Sequence, residues 1–97
     1  MSSDNASLYI DFHNQANQSF FLLEKDFLSV TEKINRDEEE FRFQQLKKDY
    51  VNELKQQLEI SAQELMKKNG LTHATGQEFN EFIKEYLYRF VQKINAY

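Results

Sequence analysis

The groups with the most obvious capacity for chemistry are two histidines, His13 and His73, and the carboxylate run Asp37-Glu38-Glu39-Glu40. A zinc or di-iron site needs three or four ligands, and no Glu-x-x-His or His-x-x-x-His spacing occurs here. In a helical bundle both histidines fall at one end, but two ligands do not make a site, and both are read as ordinary surface histidines. Four successive carboxylates on a helix start point in different directions and cannot converge on one cation. Their favourable interaction with the positive end of a helix dipole accounts for them. There is no nucleophile-elbow glycine pattern, phosphate loop or cysteine, and no carboxylate is forced into a core position. The expectation is a non-enzyme, with no catalytic, cofactor-binding or metal-binding residues and no evident small-molecule substrate.

Composition narrows the partners. The chain has 97 residues, enough for one modest core, and is read as a single helical domain over 1–97. Twelve basic against 16 acidic residues give a net charge of −4, a poor electrostatic match for phosphate backbones or anionic lipid. No apolar run approaches the ~20 residues of a membrane span. The opening residues lack the basic start and apolar core of a secretory signal, and lack the arginines of a transit peptide. Without cysteine, a reducing compartment is suitable, so an intracellular, cytoplasmic location is expected.

Two segments resemble known motifs. Residues 61–85 have the outline of a helix-turn-helix with a glycine in the turn, the basis for an alternative reading as a nucleic-acid-linked regulator. Its last helix carries Glu78, Glu81 and Glu85 against Lys84, Arg89 and Lys93, so it is neutral on an acidic chain, and nucleic acid is not the favoured partner. The tripeptide Leu87-Tyr88-Arg89 resembles the signature of the LYR family, small three-helix proteins that bind acyl carrier protein or iron–sulfur delivery factors. In that family the motif lies near the N-terminus of the first helix, and the proteins are usually basic. Here it stands in the last helix of an acidic chain, and the likeness covers three residues. It is read as one turn of an amphipathic helix, with Leu87 at the edge of the apolar face, Tyr88 pointing away and Arg89 on the flank.

The elements that position these residues follow from apolar spacing. Tyr9, Phe12, Ala16, Phe20, Leu23, Phe27, Val30 and Ile34 recur at steps of 3, 4, 4, 3, 4, 3 and 4, one continuous helical stripe. Asp4 is its expected N-cap. The stripe lapses at 35–37, where Asn35 suits a left-handed C-terminal turn, and Asp37 with Glu40 offers the next cap in the manner of a capping box. Phe43, Leu46, Tyr50, Leu54, Leu58, Ser61 and Leu65 form a second stripe, closed by Lys67, Lys68 and Gly70. Thr75 and Glu78 open a third helix carrying Phe79, Phe82, Ile83, Tyr86, Leu87, Phe90 and Ile94. With no proline and only two glycines, an all-α three-helix bundle is predicted: an antiparallel hairpin over about 4–34 and 38–69, then a shorter helix over about 76–95.

Helix lengths then point to a leftover surface. At ~1.5 Å per residue the three helices span roughly 46, 48 and 30 Å, so the third stops about 18 Å short of the hairpin turn. Phe27, Leu28, Ile34, Phe41, Phe43 and Leu46 are thereby predicted to form an uncovered, partner-binding cluster. Phe41 lies opposite the main stripe of its helix. The first helix has a second apolar line, Ile10, Phe21 and Leu28. The expected function is a non-enzymatic protein–protein interaction module (a small helical adaptor, regulator, chaperone or assembly subunit). It would act through helix packing, or through a coiled-coil pairing that extends the hairpin, with a protein partner or as a homo-oligomer. A purely structural coiled-coil subunit is the further alternative.

Overall fold

A computed structural model describes residues 2–69 and 73–97, and side chains over 7–68 and 76–97. It contains three helices, α1 (Ser2–Thr31), α2 (Glu40–Asn69) and α3 (His73–Asn95), and no strand among the described residues. Paired rings and polar contacts give the topology. Phe27 meets Phe43 and Tyr50 near the hairpin turn, so α2 runs back along α1. Tyr9 meets Phe79, His13 meets Tyr86, and Phe20 meets Phe90, so α3 runs parallel to α1. The molecule is an up-down-up bundle of 55 × 19 × 19 Å.

The predicted stripes are the buried faces. Phe12, Ala16 and Phe27 of α1, Leu54 and Leu58 of α2, and Phe79, Phe90 and Ile94 of α3 are all buried. Each large side chain among them stabilises by about 1.5–3 kcal/mol relative to leaving it in water. Gly76 marks a close approach of α2 and α3: a Cβ there would stand 3.0 Å from the Met66 Cε.

Four boundaries differ from expectation. α1 begins at Ser2, so Asp4 stands within the helix, and α3 begins at His73, so Thr75 does too. The stop assigned to Gly70 lies outside the described residues, as do the side chains of Asp4, His73 and Thr75. The other two are at the hairpin turn, where α1 ends at Thr31 rather than 34 and α2 begins at Glu40 rather than 38. The Thr31 hydroxyl donates to the Phe27 and Leu28 carbonyls at 2.8 and 3.2 Å. The amides of Lys33 and Ile34 then bond three residues back, tightening the last turn. Asp37 does not cap α2, whose Phe43 amide bonds the Glu39 carbonyl; the turn between the helices is closed instead by Asn35. Its Oδ1 accepts from the Asp37 amide at 3.1 Å, while the Glu39 carboxylate accepts from the Asn35 amide at 3.4 Å.

Candidate functional site

The hairpin end is where the sequence places a partner site, and most of its six residues are used within the chain. Phe27 is 0% exposed, Ile34 8% and Phe43 5%, which corrects the expectation that they lie uncovered. Two physical reasons account for it. First, Phe27 and Phe43 cover each other, with ring centroids 6.0 Å apart, and Tyr50 packs edge-on against Phe27 at 5.4 Å. The outer side of Phe43 is closed by cations, the Arg36 guanidinium 4.5 Å and the Lys47 ammonium 4.7 Å from its centroid. Second, α3 and its last residues reach further than 20 helical residues would. Ile94 is buried, Lys93 lies 3.5 Å from Glu24, the Tyr97 hydroxyl donates to Glu24, and Arg36 donates to the Tyr97 carbonyl.

Leu46 is half-buried against the core, and Leu28 is half-buried as well. Phe41 alone of the six stands out in solvent, 85% exposed. It begins a line along α2, Phe41, Gln44, Lys48, Asn52 and Lys55, spaced 3, 4, 4 and 3. Three of these, Gln44, Lys48 and Asn52, line an open depression of about 450 Å³ whose other wall is Val91, Ile94 and Asn95 of α3. On α1, Ile10 and Phe21 of the second apolar line are exposed, and Leu22 is exposed on another side of the helix.

The polar candidates resolve into packing roles. His13 is half-buried rather than a surface residue, with Nδ1 2.7 Å from the Tyr86 hydroxyl and its ring 4.7 Å from that of Phe82. Burial lifts the Tyr86 hydroxyl above its ordinary pKa, and the neighbouring Arg89 and Asn17 oppose the rise. Among the described residues no group of three or more His, Asp or Glu could hold a metal ion. In the Leu87-Tyr88-Arg89 turn, Leu87 is half-buried, Tyr88 exposed, and Arg89 pairs with Glu85, the arrangement of an outer helical turn. Among the described residues no helix is long and apolar enough to cross a membrane. Comparison with protein-family models, with curated proteins and with solved structures finds no match.

Proposed function

We propose that this chain is a non-enzymatic protein–protein interaction module, a small helical adaptor, regulator, chaperone or assembly subunit that works by helix packing. The observation that carries this reading is Phe41, a large apolar side chain 85% exposed beside a hairpin turn whose other apolar residues are buried or half-buried. Nothing in the intramolecular core needs it, and Ile10, Phe21 and Ile60 add further exposed apolar area elsewhere. Apolar area of this kind is favourable to bury in a complex, at roughly 25 cal/mol per Å².

The test compares the wild type with Phe41→Ser, by light scattering over a range of concentrations and by retention of host proteins on the immobilised chain. The wild type is expected either to gain mass with concentration or to retain a defined partner. The variant should lose that association by about tenfold or more while its melting curve stays within a degree or two, since the side chain makes little internal contact. A wild type that stays monomeric and retains nothing would sink the proposal, and so would a variant that associates unchanged.

A further inference from the structure

Resting on that reading, we infer that the groove between α2 and α3 at the hairpin end receives an acidic amphipathic helix from another protein. The occupant would complete a four-helix bundle. The groove has two helical walls. On α2 the line Phe41, Gln44, Lys48, Asn52, Lys55 holds no carboxylate. On α3 the facing line at this end, Leu87, Val91, Asn95, spaced 4 and 4, holds none either, and Glu59 stands beyond it in a separate depression with Asn80 and Ile83. The carboxylates of these stretches lie elsewhere: Asp49 and Glu53 bond Gln45 and Gln57, Glu85 pairs with Arg89, and Glu81 lies one turn before Lys84 and meets its ammonium at 3.5 Å. Among the described residues no ion pair is formed by Lys48 or Lys55, although the chain as a whole carries a net charge of −4. Between the walls the floor is apolar, made by half-buried Val51 and Val91 over buried Ile94.

Each feature selects the same occupant. The stretch from Phe41 to Lys55 is about 21 Å long, four turns of helix, which fits a helix laid along two others. The apolar floor takes one face of that helix, and Lys48 and Lys55 stand where carboxylates on its flank would reach. Asp37 and Glu40, beside Arg36 in the adjoining depression, set the register. They repel acidic groups at the turn, so the occupant presents an apolar residue to Phe41 there. A polyanion such as nucleic acid also meets lysines, but the remaining surface is net acidic and the floor offers it nothing. Docking of α1 from a second copy would be a contact between unlike surfaces, which builds rings or open chains instead of a two-fold dimer.

The experiment titrates the full chain against three labelled 18-residue peptides by fluorescence anisotropy. One is a helical Leu/Glu peptide with leucines on one face and glutamates flanking them. The second has lysine in place of each glutamate, and the third has serine in place of each leucine. The Leu/Glu peptide is expected to bind saturably, at least tenfold more tightly than either control, and to weaken with salt. Lys48→Glu combined with Lys55→Glu should reverse the preference toward the lysine peptide by a similar factor while leaving the melting curve unchanged. Binding that ignores this charge reversal but is lost on Ile10→Ser with Phe21→Ser overturns the groove and leaves the interaction-module reading intact. Absence of binding to all three peptides overturns the groove, and the Phe41 association test then decides the broader reading by itself. Salt-sensitive retention on duplex DNA exceeding peptide binding, or concentration-dependent growth into large assemblies, would replace the proposed occupant.

Discussion

Tyr50 shows how a single polar group is fitted to the rim of this core. Its ring packs edge-on against Phe27, while its hydroxyl donates to the Asp26 carboxylate at 2.5 Å. Burial and that carboxylate together hold the phenol protonated, pushing its pKa from 10.0 up to about 12. In the unfolded chain the same group loses its proton near 10, so above that pH the folded state binds more protons. The stabilisation is therefore complete below pH 10 and is lost as pH rises towards 12. Denaturant titrations between pH 9 and 12 should show a steeper loss of stability for the wild type than for Tyr50→Phe, which removes this titration. Parallel slopes for the two proteins would remove Tyr50 as the cause. The residue scale is also where sequence reasoning went astray. Phe43 looked uncovered because the third helix was expected to stop about 18 Å short of the turn, yet Arg36 and Lys47 close over its ring. Those two residues read as charged surface positions in the sequence, and their aliphatic stems and ring contacts become visible only in three dimensions. Phe41 was legible because its place on the helix wheel puts it opposite the main stripe, whatever covers the rest.

At the scale of elements, the three helices were readable because an unbroken spacing of 3 and 4 residues has one common interpretation. Their junction was less so. Ile34 continues the α1 stripe by spacing, but it reaches the core from a tightened turn after α1 has ended at Thr31. Breaking the helix there starts α2 at Glu40, beyond Asp37, and leaves Asn35 to close the turn between the helices. The two side chains have similar aptitude for such a turn. The geometry separates them by experiment. Asn35→Ala removes the Oδ1 that accepts from the Asp37 amide and should cost about 1 kcal/mol. Asp37→Ala should be close to neutral, because no side-chain hydrogen bond is formed by Asp37 among the described residues. Thermal melts of the two single variants settle the assignment, and a larger loss for Asp37→Ala would restore the cap expected from sequence. The end of α3 illustrates the same limit on sequence reading. Its docking near the turn combines a buried Ile94 with Glu24, whose partners Lys93 and Tyr97 lie 69 and 73 residues further along the chain. No local pattern announces such a pair.

The whole molecule is a rod, and its shape limits what the core can do. Its radius of gyration is 15.7 Å, against about 12.5 Å for a compact domain of this length. Its accessible surface is 6780 Å², against about 5,900 Å² from the usual scaling with mass. A rod of this kind has no deep centre, so its stability must come from a core strung along its length. One buried cluster nevertheless runs from Leu8 and Phe79 at one end, through Leu54 and Leu58, to Phe27 and Phe43 at the other. Every helix traverses it, so neither end can open without exposing side chains that pack on the next layer. Phe12→Ala and Phe27→Ala remove fully buried rings about 22 Å apart along α1, and each should destabilise the protein by about 3–5 kcal/mol. At that separation the two losses should add within a few tenths of a kcal/mol, leaving the double variant largely unfolded if total stability is in the ordinary range of about 5–15 kcal/mol. Far-ultraviolet circular dichroism should follow one transition in each single variant, and native-state hydrogen exchange should accelerate together in the slowest amides of all three helices. A biphasic melt, with amides around Phe43 still protected after Phe12→Ala has released those around Phe79, would mean that the rod is two cores in series.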